Sequence, residues 1–571
     1  MQKFCKTKFL FPFLFLSLFV LGSVFVNTAS AQTETRFFNI DSSYDWQGRE
    51  EIEATLLRTS DNLYFYVEKG WWESRTSQEQ NDIRIALFEL GEEFKNKIYP
   101  VLTANFGSEP KPGIDRDERI TVLIHPMISD AGGYFSSGDV YSRFQYPRSN
   151  EREMVYLNAK YIDKPQVKSF LAHEFLHLIT LNQKNLLRKV TEEIWLNEAR
   201  AEYVPTLLGY DEIYKGSNLE TRVKGFLENP TASLTEWLNK KEDYGTVNLF
   251  VQYLVDHYGK KILVDSLQSP KIGIESLNYA LEKNGFEKNF SQIFADWLIT
   301  LLVNDCKLGE RYCYLNKNLK DLRIVPTFYY LPRTETILST YHITTPWNLN
   351  WQRFVGGGNG VSFEFDGADS VEFEVPYLLC DFQNVCSVGF LVLDAGQKGE
   401  LSLSQFSTEY SSLTVTPFIK SKISGFNGKE DPFSFSWKVA IKEKAQTEAE
   451  LKNQLLARIA ELQEEIRQLQ AQITALLGKI PTSCQKFDND FYFGMMNNPE
   501  VRCLQEFLKN QGIDIYPEGL VTGNFLSLTQ KSVIRFQEKH ALEILAPLGL
   551  EKGTGYVGPM TRNKINSLIS Q

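Results

Sequence analysis

His173-Glu174-Phe175-Leu176-His177, answered further on by Asn197-Glu198-Ala199-Arg200-Ala201-Glu202, is the pair of stretches on which the reading of this chain turns. On an α-helix His173 and His177 lie one turn apart on one face, so both imidazoles reach a common point. Glu174 sits one step round from them, where a carboxylate can take a proton from water at that point. Glu198 follows after a gap long enough for one helix to end and a second to pack against it. Two neutral nitrogens, one carboxylate oxygen and a water make the four-coordinate set of a hydrolytic zinc centre. The bland alternative is a buried helix with two satisfied histidines and a surface glutamate. Against it, the chain holds only 6 His, and two fall at this spacing around a glutamate. Glu202, one turn beyond Glu198, can accept the distal N–H of a ligand histidine, as metal sites generally require.

At these residues the chain resembles the gluzincin metallopeptidases, the thermolysin-like clan, whose pattern is HExxH followed by NExx(A/S)(D/E). The longer strings Leu171 to Ile179 and Trp195 to Tyr203 look most like the hyicolysin-type bacterial peptidases, as do Gly113 to Ile124 and Ala131 to Phe135. The resemblance covers about residues 35–305 and is tight only around the site. It implies zinc ligands His173, His177 and Glu198, a general base in Glu174 and an outer partner in Glu202. It also implies an edge strand that pairs with the substrate backbone, for which Gly132, Gly133, Tyr134 and Phe135 are the candidates. A simple Gly-Gly turn is the alternative there. Arg200 stands where many relatives have a small residue, so the helix surface should differ at that point.

The full sequence has 571 residues, enough for several domains, with 43% hydrophobic and 13% aromatic residues, a folded composition. Its net charge of −10 is spread without a basic stripe, which argues against a nucleic-acid partner. Residues 1–31 read as an export signal: Lys3, Lys6 and Lys8, an apolar run from Phe9 to Val26, then Ala29-Ser30-Ala31. The long apolar run leaves an uncleaved membrane anchor as the alternative. After Cys5, the six remaining cysteines fall in close pairs, Cys306/Cys313, Cys380/Cys386 and Cys484/Cys503. In an exported chain they suggest disulfides, whose connectivity spacing alone does not fix.

Strands are expected at Ile52 to Leu57, Leu63 to Val67 and Ile120 to Ile124, with a helix from Gln78 to Thr103. Asp115, Asp117 and Glu118 have a spacing that suits a structural Ca²⁺ ion, although a polar turn before a strand explains them as well. The active-site helix should begin near Lys164, with Asp163 as N-cap and Pro165 in the first turn. Arg188, Lys189, Glu192 and Glu193 look like a solvated connection. From Ser217 to Asn304 the pattern is helical, a lobe closing the far wall of a cleft. Hydrolysis needs a donor for the developing oxyanion, worth about 3 kcal/mol in comparable sites. Tyr244, opening a helix, is preferred to His257, which suits a capping or core position.

From Phe328 to Ile441 short alternating runs separated by Asp366-Gly367, Gly396 and Asn427-Gly428 predict an antiparallel β-sandwich. Within 451–477, Leu455, Leu462, Leu469 and Leu476 recur every seventh residue, with Ile459, Ile466 and Ile473 on the other seam. That pattern suits a parallel homodimeric coiled coil, or one helix folded against a neighbouring domain. The tail, with Val501 to Leu508, Val521 to Phe525 and Gly555 to Thr561, resembles a three-helix peptidoglycan-binding domain. Leu526 replaces a glycine usual in that pattern.

The fold class expected is therefore multidomain α+β. It comprises a signal at 1–31, a gluzincin-like α+β peptidase domain at 32–327 with a helical C-terminal lobe, and a β-sandwich at 328–442. A coiled-coil helix at 443–480 and a small three-helix domain at 484–571 complete it. The expected function is an exported zinc endopeptidase acting on polypeptides and held at the cell wall by its tail. The rivals are a peptidoglycan stem-peptide hydrolase and a non-catalytic cell-surface binding protein on an old peptidase scaffold.

Overall fold

The computed structural model describes residues 34–128, 131–421, 429–442, 448–477 and 486–570. The export signal, Cys484 and the Asn427-Gly428 turn lie outside the described residues. The chain is a multidomain α+β protein. Its first sheet has six strands: β1 (Thr35–Asn39), β2 (Glu51–Thr59), β3 (Leu63–Glu68), β4 (Ile120–His125), β5 (Gly133–Tyr134) and β6 (Met154–Asn158), in the order β1-β2-β3-β4-β6-β5. The β3–β4 and β4–β6 pairs are parallel and the others antiparallel.

Alternation assigns the two faces. Phe65, Val67, Val122, Ile124, Val155 and Leu157 join the main core under the helices. Tyr66, Leu123, Met154, Tyr156 and Tyr134 point the other way, into a small core closed by Ile40, Tyr44 and Met127. A sheet buried on both faces reads as continuous apolar runs, which is why Ile120–His125 is buried throughout.

Ten helices of this part follow the chain: α1 (Lys69–Glu73), α2 (Ser77–Glu93), α3 (Tyr99–Phe106), α4 (Val167–Thr180), α5 (Ile194–Leu207), α6 (Asn218–Glu228), α7 (Lys241–Tyr258), α8 (Lys261–Leu267), α9 (Gly273–Lys283) and α10 (Phe290–Val303). Local signals start several of them: a Thr76/Glu79 capping box before α2 and an Asn289/Gln292 box before α10, each satisfying backbone N–H groups that the helix cannot. The helix that carries His173 and His177 departs from the sequence expectation. It starts at Val167, not near Lys164, and Asp163 pairs with Lys164 Nζ at 2.9 Å rather than capping. A residue preceding proline resists the helical region, so Lys164-Pro165 delays the start.

Beyond α10, a four-stranded and a five-stranded sheet enclose a second core that includes Phe354, Phe363, Val415 and Trp437. The sandwich is not wholly antiparallel as expected: Thr327–Leu331 runs parallel to Gln352–Gly356. The connection between them crosses through Thr336–Thr344 in the other sheet, so the first strand returns in the same direction. This region shares apolar packing with the helical lobe, since Trp347, Trp351 and Phe418 belong to the main core and Trp351 Nε1 donates to Leu298 O at 2.9 Å. Disulfides Cys306–Cys313 and Cys380–Cys386 are formed, and Cys503 is also disulfide-bonded.

The helix Glu448–Leu477 meets the sandwich with polar side chains. Arg353 Nη1 lies 3.0 Å from Glu461 and 3.3 Å from Glu465, and the Arg458 guanidinium covers Phe328 at 4.3 Å. The terminal unit has its own core and an internal repeat. Gln505 Nε2 donates to Thr529 Oγ1 at 2.8 Å and its carbonyl accepts Gly523 N–H; Gln537 does the same with Thr561 at 3.0 Å and Gly555. Each glutamine sits inside a helix and satisfies the backbone of a later turn, that before Ser527–Lys539 for Gln505 and that before Pro559–Ile569 for Gln537.

Candidate active site

Helix α4 carries His173, Glu174 and His177, and α5 packs across it with Glu198 and Glu202. The Nε2 atoms of the two histidines are 3.0 Å apart. Glu198 places Oε2 at 3.2 Å from His173 Nε2 and Oε1 at 3.4 Å from His177 Nε2. Ligand atoms about 2.0–2.1 Å from a tetrahedral ion stand roughly 3.3 Å from one another, so the spacing fits a zinc ion. Glu198 Oε2 is buried without a well-aligned hydrogen-bond donor among the described residues, as a carboxylate awaiting a cation would be. Among the described residues, His173, His177 and Glu198 are also the one group of three or more such side chains whose ligand atoms all lie within 4.8 Å of one another.

The protonation pattern follows from these contacts. Burial pulls the His177 imidazole down, but the Glu198 carboxylate outweighs it and holds the ring at about 9. Burial pushes Glu198 up, yet His177 and His173 hold it well below the ordinary carboxylate range. Glu174 is raised by burial, its two histidine neighbours pulling down and Glu198 pushing up.

Glu202 stands behind His173, with Oε1 at 3.4 Å from Nδ1. It is buried and heavily bonded: Arg222 Nε and Nη2 donate at 2.7 and 2.6 Å, and Asn218 Nδ2 donates at 2.9 Å. Burial favours the neutral acid, but Arg222 keeps the Glu202 carboxyl below its ordinary range.

Strand β5 is the edge of the sheet next to α4, and its glycines allow the approach. A Cβ on Gly133 would lie 3.2 Å from Glu174 Cγ and 2.5 Å from Tyr156 O, and one on Gly132 would lie 2.7 Å from the Phe170 ring. The Tyr134 side chain turns to the opposite face, stacked on Tyr156 at 4.1 Å. The Phe135 ring lies 6.4 Å from that of His177. Tyr244, in the first turn of α7, donates to Asn239 Oδ1 at 2.9 Å and lies under the Arg222 guanidinium at 4.7 Å. Burial and the Glu198 charge raise its pKa well above the ordinary tyrosine value. His257 is tied to Cys313 O at 2.8 Å, a structural use.

Two sequence expectations are corrected here. Glu192 is not part of a solvated connection; it is buried against Arg200 Nη1 at 2.8 Å and Lys184 Nζ at 3.3 Å. Arg200 is itself fully buried, donating also to Ser266 Oγ at 2.8 Å, so the residue that departs from the pattern is an internal cation and not a surface change. The carboxylates near β4 serve their turn: Asp117 accepts from Tyr64 at 2.7 Å and Arg119 N–H at 3.0 Å, and Glu118 faces Lys111 at 3.4 Å. The Ca²⁺ expectation finds no cluster among the described residues. Arg222, Asn239 and Tyr44 were missed, since no local spacing links them to the histidines.

A helix presenting two histidines and a glutamate, crossed by a glutamate-bearing helix beneath a sheet edge, is an arrangement that could hold a metal ion beside a further carboxylate. The neutral metalloprotease ShpI of Staphylococcus hyicus is similar to this chain, 31% identical over an alignment of 223 residues, with 34% of this chain and 48% of that protein covered. The chain thus spans about half the length of the curated relative it matches, and the likeness supports a metalloprotease. No family model matches. A solved structure of CorA, a surface-associated copper-binding protein of Methylomicrobium album BG8, aligns with 20% of this chain and 98% of its own at 8% identity. Its TM-score of 0.14 is too low to bear on the fold or the site.

Proposed function

We propose that this protein is an exported zinc-dependent endopeptidase. The observation that carries the proposal is the convergence of His173, His177 and Glu198 on one point, with Glu174 beside it and a sheet edge alongside. His173, His177 and Glu198 would hold the ion, and Glu202 would fix the His173 ring through Nδ1. When bound, zinc polarises the scissile carbonyl and brings the pKa of a water towards about 7.

The remaining work falls to the chain itself. The outer edge of β5 adds an extended substrate as one more strand, main chain to main chain. Glu174 takes a proton from the attacking water and passes it to the leaving amine nitrogen. Tyr244, neutral at working pH, donates to the oxygen that gains negative charge. The terminal unit would retain the enzyme on peptidoglycan, and the helix spanning 451–477 would pair two copies in parallel.

The test is hydrolysis of casein by purified zinc-loaded protein, abolished by a chelator and restored by zinc. Release of muropeptides with no casein cleavage would favour a stem-peptide hydrolase. Zinc binding without hydrolysis of either substrate would leave a binding protein. Sedimentation with purified cell-wall sacculi tests the role of the tail.

A further inference from the structure

Tyr44 lies on the connection between β1 and β2, far along the chain from the rest of the site. Its ring stacks on Tyr134 of the edge strand, with centroids 4.6 Å apart and planes 19° apart. Its hydroxyl reaches the helical lobe, where it lies beside the Asn239 side chain, close enough to feel the charges of Glu174 and Glu198. From the other side, the Tyr244 hydroxyl donates to Asn239 Oδ1 at 2.9 Å. Two phenols from opposite walls of the cleft thus flank a single carboxamide, which Tyr244 bonds and Tyr44 faces.

The position of that carboxamide is imposed. Asn239 has a left-handed backbone, φ 58°, and the turn is fixed by the Asp243 carboxylate, which accepts the N–H groups of Leu238 at 2.8 Å and Lys240 at 2.9 Å. Asparagine tolerates this conformation better than most residues. Its side chain is exposed, so little packing opposes its departure. A carboxamide also offers the carbonyl acceptor and N–H donor that a peptide bond offers.

Resting on the reading of this cleft as a peptidase site, we propose that Tyr44 is a substrate-contacting residue. With Tyr244 it holds a peptide group of the bound polypeptide, which takes the place now filled by the Asn239 side chain. The N-terminal connection then supplies one wall of the groove, and its phenol oxygen offers a hydrogen-bond partner opposite Tyr244.

The experiment uses the zinc-loaded full chain, a quenched fluorescent peptide for turnover, and a phosphinate peptide of the same sequence for calorimetric binding. Tyr44→Phe keeps the ring stacked on Tyr134, so its thermal midpoint should match wild type. Its kcat/KM and its affinity for the phosphinate should each fall roughly tenfold, the loss of about one hydrogen bond. Asn239→Gly keeps the left-handed turn and should bind the phosphinate more tightly than wild type. Kinetics and affinity unchanged in Tyr44→Phe would reduce Tyr44 to packing and overturn the proposal. Weaker binding in Asn239→Gly would make Asn239 itself a substrate contact and overturn the exchange. A wild type that binds the phosphinate more tightly than Tyr44→Phe, yet cleaves nothing, would end the peptidase reading and leave the place of Tyr44 standing.

Discussion

Arg222 forks onto Glu202, Nε to Oε2 at 2.7 Å and Nη2 to Oε1 at 2.6 Å, in the layer directly behind His173. The paired geometry holds the carboxylate in plane and leaves Oε1 facing the histidine Nδ1. Replacing Arg222 by Met removes the fork and leaves a buried carboxylate beside the ligand. Zinc affinity should fall about 10- to 100-fold, the usual effect of losing an outer partner. Competition with a chromophoric chelator measures it, and an unchanged affinity would separate Arg222 from the metal site.

Glu174 and Glu198 should fail in different ways. Glu174→Gln keeps the ligand set and removes the proton acceptor, so zinc content stays near one per chain while kcat drops by about 10²–10⁴. Glu198→Ala removes a ligand, and metal should be lost on dialysis. Zinc analysis beside turnover distinguishes the two, and an active Glu174→Gln protein would remove Glu174 from the chemistry.

The histidine pair was legible because helical spacing alone decides which side chains share a face, and His173 and His177 need nothing else. The partly alternating run of β2 and the continuous apolar runs of β3 and β4 were legible from their residue types alone. Glu192 and Arg200 were not, because charge in a sequence reads as solvent exposure until a partner is known. Their partners, Lys184 and Ser266, lie on other elements. Strand Thr336–Thr344 is harder to read than its neighbours because Ile337, Tyr341 and Ile343 are exposed on its outer face, blurring the usual contrast between inner apolar and outer polar positions. Tyr44 was invisible in principle, since only the folded sheet carries that connection to the cleft.

The buried triad itself yields a stability prediction. Glu192 faces both Arg200 and Lys184 in an interior with no exposed surface on either cation. Glu192→Gln leaves two buried cations facing an uncharged amide and should cost about 3–5 kcal/mol. The loss would appear as a lower urea midpoint with an unchanged slope. A variant as stable as wild type would show that Ser266, Ser269 and Lys271 carbonyls already satisfy Lys184 without the carboxylate.

The long helix keeps its seam open. Leu455, Ile459, Ile466 and Leu469 are 55%, 49%, 52% and 38% exposed, while Arg458, Glu461 and Glu465 are turned to the sandwich. Apolar side chains at heptad spacing beside an already engaged polar face suit a second copy of the helix. Sedimentation equilibrium should give a dimer for the wild type and a monomer for Ile459→Lys with Ile466→Lys. A wild-type monomer at high concentration would rule the pairing out.

Glu153 should make stability depend on pH. Its carboxyl lies buried where a side chain on Gly113 would stand, and it accepts Ile114 N–H at 3.3 Å. Burial, helped by the charges of Asp115 and Glu109, pushes its pKa up from 4.5 to about 7. The unfolded chain gives up this proton near 4.5, whereas the fold retains it up to about 7. The raised value therefore contributes stability that is fully present below 4.5 and is lost as pH rises through 7. The expected loss is on the order of 3 kcal/mol. Glu153→Gln cannot titrate, so the difference in urea midpoint between wild type and variant should shift in the variant's favour from pH 4.5 to pH 8. A difference that stays constant over that range would mean that Glu153 is ionised in the fold throughout, with Ile114 N–H sufficient to hold the charge.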